Sequence, residues 1–271
     1  MKALVLTYDE HLPIADHMIQ TYQDRWHEHQ FTFRLPYNND PPNYLKDKYE
    51  CDIELVESDP AINDTMLTLL QGVSDEEWIY WALDDKYVLK LDTQSVNELR
   101  QWLVQNGNNI DGLSFVRARN LLSGVSLSGE YFVDNDKKFL RRSDYSQIWL
   151  PQFLKAKVLR HLFEEMSEPE SAKEMDKLKY EVGLPEDHKL YVTNKNYAVF
   201  GESTSRGKIT QNCARSFGEY GRDLPRGFEL SNEKKVIGDM SRTRNILYQY
   251  APTRFILNHM PGFARLYGKI M

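Results

Sequence analysis

The chain has 271 residues, of which 41% are hydrophobic and 27% are charged, and its net charge is −6. This acidic balance excludes a general nucleic-acid coat, because phosphate backbones bind basic surfaces, and we expect no nucleic-acid partner. The two cysteines, Cys51 and Cys213, form no CxxC pair. No apolar run approaches the ~20 residues of a membrane-spanning helix. With an N-terminus that does not resemble a signal peptide, these features predict a cytoplasmic protein with reduced thiols.

Strand and helix patterns alternate over the first 111 residues. The sequence predicts strands at 2–8, 31–37, 51–58 and 78–83, and helices at 11–29, 61–73 and 93–105. This alternation is typical of an α/β fold with a mostly parallel, Rossmann-like central sheet flanked by helices. Ligands of such sheets bind at the carboxyl ends of the strands. We therefore expect Tyr8–Asp9, Glu57–Ser58 and Asp84–Asp85 to lie along one rim of the sheet.

Two aspartates, Asp84 and Asp85, directly follow the apolar run at 78–83. Adjacent carboxylates repel each other, and burial near a strand end disfavours their charged forms. A divalent cation offsets both effects, and Mg²⁺ and Mn²⁺ prefer hard oxygen ligands. The alternative is a solvated turn in which the two side chains cap the chain or pair with Lys86.

The pattern changes after residue 112. The sequence predicts a strand at 112–118, a hairpin at 129–142, an amphipathic helix at 148–166, a charged helix at 168–183, and strands at 188–193 and 196–202. We expect one domain over 1–240, with one half at 1–111 and the other at 112–240.

A basic and apolar tail follows at 241–271. It carries five Arg or Lys residues and no Asp or Glu. Basic and apolar residues together are typical of a membrane-surface segment, so this tail predicts peripheral contact with the inner face of a membrane. The alternative is that the tail packs on the acidic body of the protein or forms an oligomer contact.

Two stretches resemble the GT-A glycosyltransferases: LVLTYDE at 4–10, which precedes a predicted helix, and WIYWALDDKYVL at 78–89. The second stands where that family has its DxD or EDD motif. The resemblance implies a GT-A fold, in which 1–111 is the nucleotide-binding half and 112–240 the acceptor half, and a nucleotide-diphosphate sugar as donor. It further implies that Asp84 binds the ribose or donor sugar and that Asp85 coordinates Mn²⁺ or Mg²⁺. The residues implied to contact the nucleotide are Thr7, Tyr8 and Asp9. The motif departs from the family in having no third acid.

The segment at 145–176 resembles the acceptor region of bacterial members, with Tyr145, Gln147 and Trp149 matching its front. This resemblance implies a general base at Glu174, or failing that at Glu170, although the aromatic residue expected beside it is missing. A charged, solvated helix face is the alternative interpretation of these glutamates.

The loop at 201–210 offers Arg206 and Lys208 to a departing diphosphate, and Gly207 between them would let the backbone approach a phosphate. An ordinary surface turn is the alternative. The chain contains no HExxH, GxSxG or GxGxxG motif, which disfavours a zinc protease, a serine hydrolase and a dinucleotide dehydrogenase.

Together these observations predict a glycosyltransferase that moves a sugar from a nucleotide-diphosphate donor to a glycan or lipid-linked acceptor, with assistance from a metal ion. A role in building a bacterial surface polysaccharide would suit such an enzyme. Two rivals stay open. One is a nucleotidyltransferase, and the other is a non-catalytic carbohydrate-binding protein with the same fold.

Overall fold

A computed structural model describes residues 1–116, 127–134, 137–193 and 195–238, together with Pro252. The strands are β1 Lys2–Leu6, β2 Thr32–Tyr37, β3 Ile53–Glu57, β4 Trp78–Leu83, β5 Lys86–Leu91, β6 Gly112–Ser114, β7 Leu127–Asp134, β8 Lys137–Arg142, β9 Gln152–Lys155, β10 Leu190–Thr193, β11 Ala198–Glu202, β12 Thr204–Ser205, β13 Lys208–Ile209 and β14 Val236–Ile237. The helices are α1 Leu12–Arg25, α2 Tyr44–Lys48, α3 Ile62–Leu69, α4 Thr93–Asn106, α5 Ala156–Glu165, α6 Ala172–Leu178 and α7 Gln211–Glu219.

A nine-stranded sheet forms the centre of the fold, in the order β3-β2-β1-β4-β9-β6-β10-β8-β7. Strands β9 and β8 run antiparallel to their neighbours, and the other strands all run the same way. The predicted α/β class with a mostly parallel, Rossmann-like sheet is therefore confirmed. Strand β9 lies between β4 and β6, so the two predicted halves, 1–111 and 112–240, share this one sheet.

Apolar side chains cover both faces of the sheet, because successive residues of a strand point to opposite sides. On one face Ala3, Val5 and Tyr80 belong to a core that also contains apolar residues of α1 and α4. On the other face Leu4 and Trp81 belong to a core with residues of α3 and α5. This double burial explains why β1 and β4 are nearly continuous apolar runs.

The chain leaves the central sheet directly after the acid pair. Asp84 and Asp85 form the turn between β4 and β5, and β5 then pairs antiparallel with β11 in a small sheet of order β14-β11-β5. The sequence predicted one strand at 78–83 and no strand after the acid pair, so β5 was missed. The turn at Asp84 and Asp85 contains neither glycine nor proline, which are the usual sequence signals that one strand ends and another begins.

The predicted helix at 148–166 is wrong in its first half. Residues Gln152–Lys155 form strand β9, and the helix spans only Ala156–Glu165. Every residue of β9 is buried, so the strand shows no alternation that would distinguish it from a buried helical turn. Helices α2 and α7 were also missed. The hairpin of β7 and β8 and the strand β10 agree with their predictions.

Asp92 caps helix α4, since its carboxylate accepts the backbone N–H of Ser95 at 3.1 Å. The tail at 241–271 lies outside the described residues, apart from Pro252. Within the described part of the chain, no helix has the length and apolar character needed to cross a bilayer.

Candidate functional site

A cavity of about 880 Å³ opens at the carboxyl ends of β1 and β4. Its walls come from these strand ends, the β4–β5 turn, the start of α3, the loop before β9, the segment entering α6, and β11 with the residues after it. The predicted site residues that line the cavity are Thr7, Tyr8, Asp84, Asp85 and Glu170. We call this space the acid-pair cavity. It lies where a parallel sheet of this class binds its ligands.

Asp84 joins the ends of β1 and β4. Its Oδ2 atom accepts a hydrogen bond from the Thr7 hydroxyl at 2.9 Å and lies 3.1 Å from Nδ1 of His11. The residue is only 8% exposed. Buried carboxylates need such partners, because an unpaired charge inside a protein is costly. Asp84 therefore holds the loop after β1 against the turn after β4.

His11 lines the cavity and was not among the predicted site residues. It stacks on Tyr8, with 4.4 Å between ring centroids, and its side chain is 18% exposed. Burial lowers the pKa of His11, but the hydrogen bond to Asp84 and the charge of that carboxylate outweigh burial, so the pKa lies above its ordinary value. One sequence feature could have indicated that His11 lies near the cavity. It follows the predicted first strand closely, on the same rim of the sheet as Tyr8 and Asp9.

The titration of His11 provides a direct test of this contact. We expect its pKa to lie above 6.5 in the folded protein and to fall when Asp84 is replaced by asparagine, because the imidazolium loses its carboxylate. A pKa raised by folding stabilises the native state below the unfolded value, and this contribution disappears as pH rises through the folded pKa. Two-dimensional NMR of the imidazole C–H signals measures both values. An unchanged His11 pKa in Asp84→Asn would contradict the pairing.

Asp85 is paired with its neighbour in the chain. Nζ of Lys86 lies 2.7 Å from Oδ2 of Asp85 and 3.6 Å from Oε1 of Glu202, and Lys235 approaches the other oxygen of Glu202 at 3.6 Å. Burial raises the pKa of Asp85, Lys86 opposes this, and the negative charge of Asp84 adds to the rise. The interpretation in which Lys86 pairs with the acid pair thus holds for Asp85.

The expected metal ion does not fit this arrangement well. Carboxylates suit Mg²⁺ or Mn²⁺, but the ammonium of Lys86 already takes the cation position between Asp85 and Glu202. Asp84 is bound to Thr7 and His11. In the described ranges, no group of three or more His, Cys, Asp or Glu side chains is placed to hold a metal ion.

Asp9, expected to contact nucleotide, does not line the cavity. Its carboxylate instead accepts backbone N–H groups of Asn38 at 2.8 Å and Asn39 at 3.1 Å. It therefore fastens the loop after β1 to the loop after β2. Of the three residues expected to contact the nucleotide, Thr7 and Tyr8 thus line the cavity, and Tyr8 is 46% exposed.

The two candidate bases differ in position. Glu170 is exposed and lines the cavity. Glu174 does not line it, and its carboxylate accepts the backbone N–H of Glu170 at 2.8 Å, while Ser171 caps the same helix. This Ser-x-x-Glu arrangement at the start of α6 resembles a capping box. Of the two candidates, Glu170 is therefore the one at the cavity wall.

Arg206 and Lys208 lie outside the cavity, in the hairpin of β12 and β13. Arg206 and Gly207 occupy its turn with φ values of 54° and 74°, and Lys208 pairs with Glu229 at 2.6 Å. The structure thus favours the surface-turn alternative for this loop. The neighbouring residues that do line the cavity are Glu202 and Thr204.

Another wall of the cavity is built by the loop before β9. Gln147, Trp149 and Leu150 line the cavity, and Gln147 has the unusual φ of 60°.

Buried side chains hold this loop in place. The Gln152 side chain donates to the carbonyl oxygens of Gln147, Ile148 and Leu150 at 3.0–3.1 Å. Arg142, which is fully buried, donates to Gln152 at 2.7 Å and to the Ser146 carbonyl at 2.5 Å.

A second cation borders this wall. Lys179 is 4% exposed and lies 5.7 Å above the Trp149 ring and 4.8 Å above the Tyr180 ring. Desolvation lowers the pKa of Lys179, and its partner Asp176 opposes the effect. Aromatic faces beside polar groups are suited to stacking on sugar rings. The cavity therefore has an acidic side with Lys86 and an aromatic side with Lys179.

The fold places the chain in the Rossmann-like α/β class to which GT-A and nucleotidyltransferase folds belong. Its sequence matches no family model and no curated protein. Among solved structures, UDP-glucose pyrophosphorylase complexed with UDP-glucose aligns with a TM-score of 0.50 at 10% identity, covering 81% of this chain and 98% of that one. Its apo form aligns with the same TM-score at 12% identity, covering 81% and 97%.

A second similar structure is residues 1–349 of S. aureus TarS in complex with UDP-GlcNAc. It aligns with a TM-score of 0.43 at 10% identity, covering 73% of this chain. This chain spans 57% of the length of that fragment. At such identities the similarities show the fold alone.

Proposed function

We propose that the protein is a glycosyltransferase that moves a sugar from a nucleotide-diphosphate donor to a hydroxyl group of a glycan or lipid-linked acceptor. The observation that carries the proposal is the contact of Asp84 with Thr7 and His11, at the edge of a large cavity at the carboxyl ends of β1 and β4. In sheets of this class, that edge binds nucleotides.

The acidic side of the cavity would bind the donor. The exposed ring of Tyr8, stacked on His11, offers a face to a nucleobase, and Asp84 offers an acceptor to ribose hydroxyls. UDP-glucose is bound in a structure of similar fold, which makes uridine nucleotide sugars the first donors to test. The aromatic side, with Trp149 and Tyr180, would receive the acceptor glycan.

The reaction follows from these positions. The acceptor oxygen forms a bond to the anomeric carbon of the donor sugar, and the bond from that carbon to the diphosphate oxygen breaks. The bonding electron pair leaves with the diphosphate, whose charge Lys86 stabilises and to which His11 adds positive charge in its imidazolium form. The acceptor proton passes to a carboxylate, and we assign this role to Glu170 because it lines the cavity and Glu174 does not. Glu174 positions Glu170 by binding its backbone N–H.

Sugar transfer is favoured over nucleotidyl transfer by the loop after β1. Nucleotidyl transfer requires a triphosphate to be held, and glycine-rich loops do this by letting backbone N–H groups surround the phosphates. The first glycine of this chain is Gly72, so the loop after β1 contains none. A purely carbohydrate-binding role is less well supported, because sugar stacking needs no lysine between two carboxylates.

Identification of the product tests the proposal. We expect one nucleotide sugar of a panel to be hydrolysed or transferred, with free nucleoside diphosphate released. Pyrophosphate release from a nucleoside triphosphate and a sugar phosphate would support nucleotidyl transfer instead. If no nucleotide sugar binds in calorimetry, but glycans do, the carbohydrate-binding alternative is correct.

Replacing Glu170 by glutamine tests the general base. We expect kcat to fall by about 100-fold with little change in donor affinity, because the amide cannot accept the acceptor proton. Steady-state kinetics with the donor found above measures both quantities. Glu174→Gln is the matched control, since its amide oxygen can still accept the Glu170 N–H. Equal activity of Glu170→Gln and Glu174→Gln would show that Glu170 is not the general base.

The membrane contact proposed for 241–271 rests on the sequence of that tail, which has basic and apolar but no acidic residues. Binding of the tail to a membrane would bring the cavity close to a lipid-linked acceptor. Vesicle sedimentation with and without anionic lipid, comparing the full chain with one shortened after residue 240, tests it. Equal sedimentation of the two chains would exclude a role for the tail.

A further inference from the structure

The cation position beside the acid pair is part of a rigid frame. Lys86 and Glu202 are direct partners in the antiparallel pairing of β5 with β11, and the backbone N–H of Ser203 donates to the Asp85 carbonyl at 2.7 Å. The Lys86 side chain is 9% exposed, and those of Asp85 and Glu202 are 23% and 12% exposed. The ammonium is therefore held by strand register as well as by charge.

A divalent ion would have to displace this ammonium. A metal bound by Asp85 and Glu202 would occupy the space of Lys86 Nζ, which lies 2.7 Å from one carboxylate and 3.6 Å from the other. Two cations at that distance repel each other, and moving Lys86 away would leave a largely buried ammonium without its partners. Divalent ions should therefore bind weakly to the wild-type protein.

The same ammonium can bind a ligand. A lysine side chain has three N–H donors. Asp85 accepts one of them at 2.7 Å, whereas Glu202, at 3.6 Å, is an ion-pair partner beyond hydrogen-bond distance. Lys86 also lines the acid-pair cavity, so its ammonium can donate to an anionic oxygen there. A phosphate of the donor would find at Lys86 the positive charge that a metal ion would otherwise supply.

We propose that Lys86 replaces a divalent metal ion in this site and that the protein binds the diphosphate of its donor without metal. The first part rests on the contacts of Lys86 alone, and the second rests on the proposed function. The two parts are tested by separate measurements.

Binding of Mn²⁺ to the nucleotide-free protein tests the first part and can be followed by electron paramagnetic resonance. We expect Lys86→Ala to bind Mn²⁺ at least about tenfold more tightly than wild type, because the carboxylates of Asp85 and Glu202 lose their competing cation. The gain should disappear in Lys86→Ala/Asp85→Asn. Lys235→Ala is the control, since it removes a positive charge near Glu202 without vacating the position between the carboxylates.

Thermal unfolding shows whether each variant is folded, and Lys86→Gln replaces Lys86→Ala if the smaller side chain is not tolerated. Wild-type protein that binds Mn²⁺ as tightly as the folded Lys86 variant would overturn the proposal. An equal gain of Mn²⁺ affinity in Lys235→Ala would also overturn it, because it would show that loss of any nearby positive charge strengthens Mn²⁺ binding.

Calorimetry with UDP tests the second part. In the presence of EDTA we expect wild-type affinity to stay within about twofold of that in Mn²⁺, and Lys86→Ala to lose at least about tenfold, because the phosphate loses a charged hydrogen-bond donor. Binding of UDP to wild type only with Mn²⁺ would overturn metal independence. Failure of every nucleotide and nucleotide sugar to bind under both conditions would instead refute the proposed function, and the Mn²⁺ measurement would still decide the role of Lys86.

Discussion

Replacing Asp84 by asparagine is expected to lower kcat/KM for sugar transfer by about 100-fold while the protein remains folded. Asp84 Oδ2 binds both the Thr7 hydroxyl and His11, so a neutral amide removes the charge that holds these groups at the cavity edge. The protonated form of His11 would also become less stable, which reduces the positive charge available to the leaving diphosphate. Steady-state kinetics measures the loss, and circular dichroism confirms the fold.

Asp92→Asn is the matched control for this prediction. Asp92 also accepts two hydrogen bonds, from the backbone N–H and the hydroxyl of Ser95, but it caps α4 and does not line the cavity. We expect its activity to stay close to wild type and its stability to fall by less than about 1 kcal/mol, because asparagine is also a good helix cap. Activity of Asp84→Asn equal to that of Asp92→Asn would show that Asp84 has no role in the reaction.

Replacing Arg142 by alanine is expected to lower the free energy of unfolding by about 3 kcal/mol. The guanidinium is fully buried, and desolvation lowers its pKa to about 10, so it stays charged at neutral pH. Its removal leaves the Gln152 side chain and the Ser146 carbonyl without a donor and opens a void behind the loop before β9. Gln147 and Trp149 lie in that loop, so the aromatic side of the cavity should lose its shape.

Urea denaturation measures this change in stability, and Trp fluorescence reports on the loop. Arg142→Met separates the two effects, because methionine fills most of the void but supplies no hydrogen-bond donor. Arg141→Ala is the control on the same strand, with a contact to the Glu186 carbonyl at 3.3 Å at the surface, and should cost less than about 1 kcal/mol. A similar cost for Arg141→Ala and Arg142→Ala would show that the buried contacts of Arg142 contribute little.

Local sequence patterns were sufficient for the strands that carry the site. The apolar runs of β1 and β4 are buried on both faces, and a run of this kind can be recognised without knowing its neighbours. The place of Asp84 and Asp85 at a strand end follows directly. Strand β9 could not be predicted in the same way, because four buried residues before an amphipathic helix resemble the first turn of that helix.

The sequence does not show which of the candidate side chains meet the cavity. Glu174 binds the backbone N–H of Glu170 at the start of α6, and Arg206 and Lys208 lie in a hairpin outside the cavity. His11 shows the opposite case, because nothing in its local sequence indicates that it meets Asp84, which lies 73 positions away. The type of a residue determines which chemistry its side chain can perform. The packing of the fold determines which groups that side chain contacts.

The sequence by itself determined the α/β class, the two strands that end at the cavity, and the position of two adjacent carboxylates on its rim. These features follow from hydrophobic periodicity, which acts over a few residues. Only the tertiary structure decided that Lys86 is bound between Asp85 and Glu202 and that His11 is bound to Asp84. Such pairs depend on strand register and packing between segments far apart in the chain, and a change of one residue in register would separate them.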